Sequence, residues 1–314
     1  MVTQAIELEA TTKKHYRAAG EAVFVTILWA SSWVIIKFGL EEIPPLTFSG
    51  LRYIIAAFIL LAIVQAKEEY RASMWSQEKR WWATMALYGV VFVSITQGAQ
   101  FVGLDRLDAI SVSILLNLTP IVVLFLGVFL LREIPSRRQS FFIILVVAGA
   151  MIYFYPLDLN TSEMLGLVVV IIGVIANAFS SVLGRSINRK RESPPIVITA
   201  ASMTIGAVIL VVTGLIVDGI VSFSLLSLFY VLWLSVVNTA FAFTLWNRAM
   251  QTLRAVDTTI INSTMLPQIT ILSIVFLGEM PGLLDWVGLI ILAVSVAIVQ
   301  VLQARRVAEE QNSK

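Results

Sequence analysis

The side chains that could do chemistry inside this chain are amides, hydroxyls, aromatic rings and one arginine, and they interrupt stretches that are otherwise apolar. Within those stretches they recur every three or four positions, the spacing that places side chains on one face of a helix. Each amide brings two donors and an acceptor, so these faces are expected either to bind a small polar molecule or to join helices by hydrogen bonds. The candidate ligand-binding residues are Trp29, Ser32, Trp33, Arg52, Tyr88, Gln97, Gln100, Asn117, Asn177, Asn238, Trp246 and Asn262.

Residues suited to acid–base or nucleophilic catalysis are scarce. The chain has no cysteine, and its only histidine, His15, lies in a polar N-terminal segment. No Asp or Glu lies deep in an apolar stretch, because Glu133, Asp257, Glu279 and Asp285 are all near the ends of such stretches. The absence of cysteine excludes thiolate metal ligands. The positions of the Asp and Glu residues leave no buried carboxylate pair that could serve an enzyme in acid–base or nucleophilic catalysis. We therefore expect no enzymatic activity, no cofactor and no metal site.

Composition indicates that the elements holding these residues lie in a membrane. Hydrophobic residues make up 58% of the 314 residues and charged residues 13%, with a mean hydropathy of +0.89, whereas soluble proteins carry about 25% charged residues. The prediction is an all-α integral membrane protein of ten transmembrane helices, with polar tails at residues 1–20 and 304–314. Apolar stretches of about 20 residues, the length that spans a bilayer, lie at 21–39, 45–66, 81–103, 107–131, 138–156, 164–184, 195–217, 225–247, 255–278 and 283–303.

Two segments of thirty residues, 106–135 and 252–281, indicate that the chain arose by duplication. Aligned without gaps they share seven identities, and both have a charged lead-in, a proline in mid-segment and a terminal Glu-x-Pro. Corresponding elements are five spans apart, and because five is odd, the second copy must be inverted in the membrane. We predict two inverted five-helix repeats, residues 21–156 and 164–303, around a central cavity. Inverted repeats of this kind build secondary transporters, whose substrate site lies near the bilayer midplane.

The distribution of basic residues predicts the orientation. Nineteen of the 22 Lys and Arg residues fall on the side of the chain termini, and only Lys37, Arg52 and Arg106 fall elsewhere. Cytoplasmic loops of membrane proteins carry such an excess of Lys and Arg. Both termini are therefore expected in the cytoplasm, and the chain in the cytoplasmic membrane.

Arg52 and two prolines have more than one interpretation. Arg52 lies about 10 Å along its helix from the outer end, at 1.5 Å per residue. Its guanidinium must reach outward to water, meet a carboxylate such as Glu41 or Glu42, or face a wet cavity where it could bind a substrate carboxylate. Pro120 and Pro267 lie inside spans four and nine, where a proline frees a carbonyl and can bend the helix. They are candidate gating hinges or static kinks.

Four stretches carry a family resemblance. They are WASSWVIIKFGL in the first span, PPLTFSGLRYIIAAFILL in the second, and the span ends LLREIPSRRQ and FLGEMPGLLDWVG. Together they resemble the drug/metabolite transporter (DMT) superfamily, EamA type, over roughly residues 20–303. The resemblance implies a five-plus-five fold, a central cavity and alternating access, with export of amino acids or related metabolites in many members. It does not identify the substrate.

The leading functional hypothesis is a secondary transporter of a small metabolite across the cytoplasmic membrane, exporting amino acids or related compounds. Arg52 at the rim of an aromatic-lined cavity favours a carboxylate-bearing substrate. If Arg52 does not reach the cavity, Trp29 and Trp33 suit a cationic or quaternary amine through cation–π contacts. The alternative substrate class is thus a cationic or quaternary amine or a drug-like compound. A membrane-embedded enzyme and a passive channel are the weaker alternatives. The expected partners are the small-molecule substrate and the lipid bilayer, with no nucleic acid, and a homodimer is left open.

Overall fold

The computed structural model describes residues 2–131, 136–156, 158–190, 192–250, 252–253 and 255–312 of the chain. These residues form helices joined by short turns, with no strand among them, which confirms the predicted all-α class. Helices dominate because lipid offers no hydrogen-bond partners to an exposed backbone. Numbered in chain order, the ten spans are Val2–Leu40, Pro45–Ala66, Lys79–Arg106, Ala109–Leu131, Arg137–Tyr153, Thr161–Lys190, Pro195–Val217, Leu225–Met250, Ala255–Leu277 and Leu283–Asn312.

Several helix boundaries differ from the sequence prediction, and three features of the helices were not expected. Span 1 has no break at residue 21, because one helix runs from Val2 to Leu40. A short helix, Glu68–Trp75, occupies the connector between spans 2 and 3. Nine helical stretches of the described chain are long and apolar enough to cross a membrane, and span 5, at 17 residues, is the shorter tenth.

The ten spans define two faces of the bundle. Because successive spans alternate in direction and their number is even, span 1 starts and span 10 ends on the same side, here named the termini face. The connector at Ser76 and the start of span 7 at Pro195 also lie on this face. The other side, named the opposite face, carries the turn between Leu40 and Pro45 and the turn after Leu277.

The backbone repeats its irregularities with the spacing of the sequence repeat. Span 3 contains a π-helical turn at Val90–Gln97 and span 8 one at Val236–Phe241, and these turns begin 146 positions apart. Span 4 is broken after Leu116 and span 9 after Ser263, where each continues as a second helix. Such π-helical turns are rare and concentrate at functional sites. The duplication is therefore present in backbone geometry as well as in residue pattern.

Pro120 and Pro267 lie in the first turn of the second half-helix of spans 4 and 9, four residues after the first half-helix ends at Leu116 and Ser263. Pro120 is the second residue of the helix Thr119–Leu131, and Pro267 is the third residue of the helix Met265–Leu277. In the first turn of a helix the backbone N–H has no intrahelical acceptor, so a proline there sacrifices no hydrogen bond. The irregular points of spans 4 and 9 are thus the breaks that precede the prolines.

Glycines allow the closest helix contacts. A Cβ added to Gly206 of span 7 would clash with the carbonyl oxygen of Gly89 in span 3. A Cβ on Gly149 of span 5 would lie 2.9 Å from the carbonyl oxygen of Gly288 in span 10. Small residues at such crossings let helix backbones approach within a membrane, where packing replaces the hydrophobic effect. Spans 5 and 10 form one such close pair.

Candidate functional site

A cavity of about 230 Å³ lies among spans 1, 3, 6, 7 and 8. It extends from the middle of the bundle, at Trp29, to residues at the ends of spans on the termini face, including Pro195 and Met250. The remaining lining residues are Tyr88, Phe92, Val93, Asn188, Thr199, Ser202, Met203, Phe243 and Trp246.

Aromatic rings dominate the cavity wall. The Trp29 ring centroid is 5.1 Å from that of Trp246 and 5.4 Å from that of Phe243, and Tyr88 stacks on Phe92 at 5.5 Å. None of the twelve lining residues carries a formal charge. Aromatic faces present negative electrostatic potential, so this wall can hold an apolar group, an aromatic ring or a cation.

The polar groups of the cavity are oriented by their own helices. Thr199 donates its hydroxyl hydrogen to the carbonyl of Pro195 at 2.9 Å, and Ser202 donates to the carbonyl of Ile198 at 2.8 Å. The Asn188 amide donates to the carbonyl of Gly184 at 2.8 Å. These bonds use the hydroxyl donors of Thr199 and Ser202 and one N–H of the Asn188 amide, and each side-chain oxygen keeps capacity to accept a hydrogen bond from a ligand.

Three of the twelve sequence-predicted binding residues line this cavity: Trp29, Tyr88 and Trp246. Trp33 is instead 5% exposed within the main hydrophobic core. Gln100 and Asn262 lie outside the lining of this cavity, and the side chain of Asn262 is exposed on the bundle surface.

Ser32 and Asn238 hold spans 1 and 8 together. The Asn238 amide donates to Ser32 Oγ at 2.9 Å and also to the carbonyl of Leu28. Both side chains are buried, and the Asn238 Oδ1 atom has no hydrogen-bond partner among the described residues. The pair therefore joins helices from the two repeats at the π-helical turn of span 8.

Asn117 and Asn177 lie beside the break in span 4. The Asn117 amide donates to the carbonyl of Ser113 at 2.8 Å, which satisfies a backbone acceptor at the end of the first half-helix. The Asn177 amide donates to Thr119 Oγ1 at 3.2 Å, at the start of the second half-helix. These two amides stabilise the interruption of the helix, and neither lines the cavity.

Arg52 and Gln97 occupy a layer between the cavity and the opposite face. Arg52 is 6% exposed, and its Nε donates to Thr239 Oγ1 at 3.1 Å. Its guanidinium carbon lies 5.2 Å from the Tyr53 ring centroid and 6.0 Å from that of Phe101. The Tyr53 hydroxyl donates to Gln97 Oε1 at 2.7 Å. Arg52 is not part of the cavity lining.

A search of the sequence for polar side chains alone would not find most of the residues that line the cavity. Residues that the sequence analysis does not single out include Phe92, Phe243, Met203 and Met250. A usable signal is present for the rings, because Tyr88 with Phe92 and Phe243 with Trp246 recur at one-turn spacing. The residues of spans 6 and 7 carry no comparable pattern, and only the packing of the helices brings them to the site.

Three carboxylates join the two repeats at the opposite face, each at the N-terminus of a helix. Glu279 accepts the backbone N–H groups of Ala109 and Ile110 at 2.7 and 3.0 Å. Asp218 accepts the N–H and hydroxyl of Thr47 at 2.9 and 2.8 Å.

The third carboxylate, Glu42, accepts the N–H of Ser224 at 2.9 Å and the hydroxyl of Ser227 at 2.8 Å. Helix N-termini favour anions because their first N–H groups lack intrahelical partners. These three contacts, named the carboxylate latches, bridge the two repeats at the opposite face.

The pKa values of the two latch glutamates, Glu42 and Glu279, shift in opposite directions. The hydrogen bonds from Ser224 and Ser227 lower the pKa of Glu42 below its ordinary value. Burial raises the pKa of Glu279, and the N–H groups of Ala109 and Ile110 and the charge of Lys37 oppose that rise only in part. Lys37 itself donates to the carbonyl of Leu107 at 2.8 Å beside this latch. Glu133, the counterpart of Glu279 in the first repeat, lies outside the described residues.

On the termini face the repeats meet at an ion pair between Glu21 and Arg248. Within the described part of the chain, no three His, Cys, Asp or Glu residues lie close enough together to share a metal ion. The groups available to a ligand in the cavity are thus neutral polar atoms and aromatic rings.

Comparison with known proteins identifies the family. The model of the EamA-like transporter family matches residues 19–155 and again 164–301, which is one match for each repeat. The uncharacterized transporter YoaV of Bacillus subtilis (strain 168) is 28% identical over 233 residues, covering 71% of this chain and 76% of YoaV.

An uncharacterized transporter of Archaeoglobus fulgidus is 24% identical over 232 residues, with the same two shares, 71% and 76%. A protein of known crystal structure superimposes with a TM-score of 0.65 over 93% of this chain and 99% of that protein, at 17% sequence identity, which supports the fold. The family and these relatives are transporters and not enzymes. With both repeats matched, this chain belongs to the EamA-like transporter family of the DMT superfamily.

Proposed function

We propose that this transporter exports amino acids or related small compounds across the cytoplasmic membrane by alternating access. The observation that carries the proposal is the aromatic cavity, which reaches the termini face while the carboxylate latches close the opposite face. A site that is open on one side and closed on the other is the arrangement that alternating access requires.

The distribution of basic residues supports the proposed direction. By sequence position, nineteen of the 22 basic residues fall on the side of the chain termini, which favours a cytoplasmic location for the termini face. In this orientation the cavity loads substrate from the cytoplasm. Opening of the latches, with closure of the termini face, would then release the substrate outside.

The cavity suits a small substrate with an apolar or aromatic group. Its volume of about 230 Å³ is below the roughly 300–1,000 Å³ of pockets that hold drug-sized ligands. The Trp29, Phe243 and Trp246 rings supply the contact surface, and the Thr199 and Ser202 oxygens supply acceptors for an ammonium group. An amino acid with a hydrophobic side chain has these features.

A cationic amine is the second candidate, and the uncharged aromatic lining favours it. Trp29 and Trp246 lie close enough together to contact one ammonium group, and such contacts contribute about 0.5–2 kcal/mol each. An amine of this kind needs no carboxylate partner, whereas an amino acid does.

Proteoliposome flux measurements test the carrier mechanism. Amino acids and amines are first screened by thermal stabilisation of the purified protein, and the strongest hits are then assayed for uptake. We expect saturable uptake that accelerates when unlabelled substrate is preloaded on the other side. Linear, non-saturating flux without counterflow would indicate a passive channel and overturn the proposal.

A further inference from the structure

We propose that Arg52 forms an anion subsite on the transport pathway, which receives the carboxylate of the substrate beyond the aromatic cavity. The inference rests on the proposed function and deepens it, because it distinguishes an amino acid from a simple amine. It is carried by a buried guanidinium that has no carboxylate partner among the described residues.

The position of Arg52 excludes the structural explanations that the sequence leaves open. A guanidinium that reached outward to water would be exposed, but Arg52 is 6% exposed. Among the described residues Arg52 forms no ion pair with Glu41 or Glu42, and Glu42 instead binds Ser224 and Ser227. The interpretation that remains is an arginine facing the interior of the bundle.

The contacts of Arg52 include no anionic group among the described residues. Only Nε has a hydrogen-bond acceptor among the described residues, the hydroxyl oxygen of Thr239. The rings of Tyr53 and Phe101 provide weaker cation–π contacts at 5.2 and 6.0 Å. An unpaired charge in a low-dielectric interior costs several kcal/mol, and an intramembrane arginine of this kind usually marks a substrate or ion pathway. An incoming anion would remove that cost.

The surroundings of Arg52 adjoin the cavity along two helices. Val93 lines the cavity, and Gln97, which accepts the Tyr53 hydroxyl, lies four residues farther along span 3. Phe243 lines the cavity, and Thr239, the Arg52 acceptor, lies four residues away along span 8. Four residues correspond to about one helical turn, roughly 5–6 Å, and in both spans the step leads toward the opposite face.

The chemistry of the two layers is complementary. A guanidinium binds a carboxylate through two parallel N–H bonds, while the aromatic rings of the cavity hold an apolar side chain. An amino acid could thus place its side chain among Trp29, Phe243 and Trp246 and its carboxylate at Arg52. The substrate class assigned by this arrangement is a carboxylate-bearing molecule with a small hydrophobic or aromatic group.

The test compares ligands that differ only in the carboxylate. Phenylalanine and phenylalaninamide are titrated into the purified wild-type protein and into the Arg52→Gln variant, with binding followed by thermal shift and calorimetry. We expect the wild type to bind the acid about ten- to hundredfold more tightly, the effect of one charge-assisted contact. In Arg52→Gln this preference should vanish while affinity for the amide stays the same.

Two further variants separate recognition from folding. Arg52→Lys keeps the charge without the bidentate fork, so its preference for the acid should be intermediate. Arg106→Gln removes a cation that donates to Ser162 at the opposite face and should leave the preference unchanged. If Arg52→Gln does not fold, the wild-type preference and its reduction in Arg52→Lys carry the test.

Several outcomes would overturn the subsite. One is equal wild-type affinity for acid and amide, and another is an acid preference that persists in Arg52→Gln. Arg52-dependent stabilisation by chloride without any acid preference would assign the site to an inorganic anion instead. Failure of the proposed function looks different, because then neither amino acids nor amines show saturable binding or counterflow.

Discussion

At the scale of single residues, the structure separates two roles that polar and aromatic side chains share in the sequence. Trp29 and Trp246 line the cavity, whereas Trp33, four residues after Trp29, is packed in the core. Asn238 satisfies its donors on span 1, and Asn117 does so on its own helix. In this bundle, rings line the cavity and the central amides mainly join or terminate helices.

Substitution of Trp246 by alanine should weaken substrate binding about tenfold or more. The change removes a ring that lines the cavity and contacts Trp29, and loss of a buried aromatic contact surface costs about 1.5–3 kcal/mol. The measurement is the affinity of the strongest ligand found by thermal-shift screening.

Trp246→Phe, which keeps an aromatic ring, should retain most of that affinity. The matched control is Trp75→Ala, because Trp75 is 64% exposed in the connector helix, outside the cavity. Equal affinities for Trp246→Ala and Trp75→Ala would show that the cavity does not bind the substrate.

At the scale of the helical element, irregular backbone marks the places where the spans can rearrange. The breaks in spans 4 and 9 and the π-helical turns in spans 3 and 8 recur at repeat-related positions. In span 8 the π-helical turn carries Asn238 and Thr239, which bind span 1 and Arg52. The same irregular element therefore joins the second repeat to two helices of the first repeat next to the cavity.

Removal of the Glu279 latch should favour opening of the opposite face. In Glu279→Ala the backbone N–H groups of Ala109 and Ile110 lose their acceptor, and an unsatisfied buried donor costs about 1–3 kcal/mol. Because the chain has no native cysteine, Ile110→Cys, at a position 1% exposed, can report opening through an impermeant maleimide. We expect labelling to become about tenfold faster when Glu279→Ala is added.

The control for this latch is Glu163, a carboxylate that also accepts a backbone N–H but does so within its own segment, so it does not join the repeats. Glu163 accepts the N–H of Asn160 at 2.8 Å, at the start of its own helix. Glu163→Ala should therefore leave the labelling rate of Ile110→Cys unchanged. A Glu279→Ala variant that labels no faster would mean that this contact does not hold the face closed.

The Glu279 latch should also respond to pH. Burial raises the pKa of the docked carboxyl, so the docked state binds a proton more tightly than a solvated carboxyl does. Docking is then stabilised as the pH falls through the raised pKa and weakened as the pH rises. Labelling of Ile110→Cys should be slower at pH 5 than at pH 7.5, relative to Ile220→Cys, a position 97% exposed on the same face.

Lys37 and Asp108 contribute opposing charges at this carboxyl, so the pH response must be assigned to Glu279 by substitution. In the Glu279→Ala background the labelling ratio should no longer depend on pH. A pH dependence that survives the substitution would come from another group.

At the scale of the whole molecule, two inverted repeats surround the aromatic cavity and meet at both faces. The opposite face is joined by three carboxylate latches, and the termini face by the pair of Glu21 and Arg248. Alternating access requires these two sets of contacts to break in turn. Every latch links a residue of one repeat to a helix N-terminus of the other, so relative motion of the repeats would break them together.

A covalent link across the opposite face should stop transport. Glu42 Oε2 and Ser227 Oγ are 2.8 Å apart and belong to different repeats, so Glu42→Cys with Ser227→Cys places two thiols at one latch. Oxidation should reduce flux to background, and a reductant should restore it. Each single variant, treated in the same way, should keep its activity. Undiminished flux through the oxidised pair would show that this face need not open.

The sequence by itself determined the class and the topology. Apolar stretches of spanning length require helices in lipid, and the odd number of spans between the repeats 106–135 and 252–281 requires inversion. Both arguments depend on local composition and counting, so tertiary contacts do not enter them. The family resemblance followed from the same stretches and was confirmed by the match to both repeats.

Only the tertiary structure decided which helix faces meet a cavity and which meet a neighbouring helix. Helical periodicity shows that Ser32 and Trp29 share a side of span 1, but not that an amide 206 positions later satisfies Ser32. It also cannot bring Thr199 and Ser202 of span 7 to the rings of span 8. The reason is physical, because a buried polar group can be satisfied by any partner of suitable geometry. Which partner lies within reach depends on which helices pack together, and glycines at the helix crossings help to decide that packing.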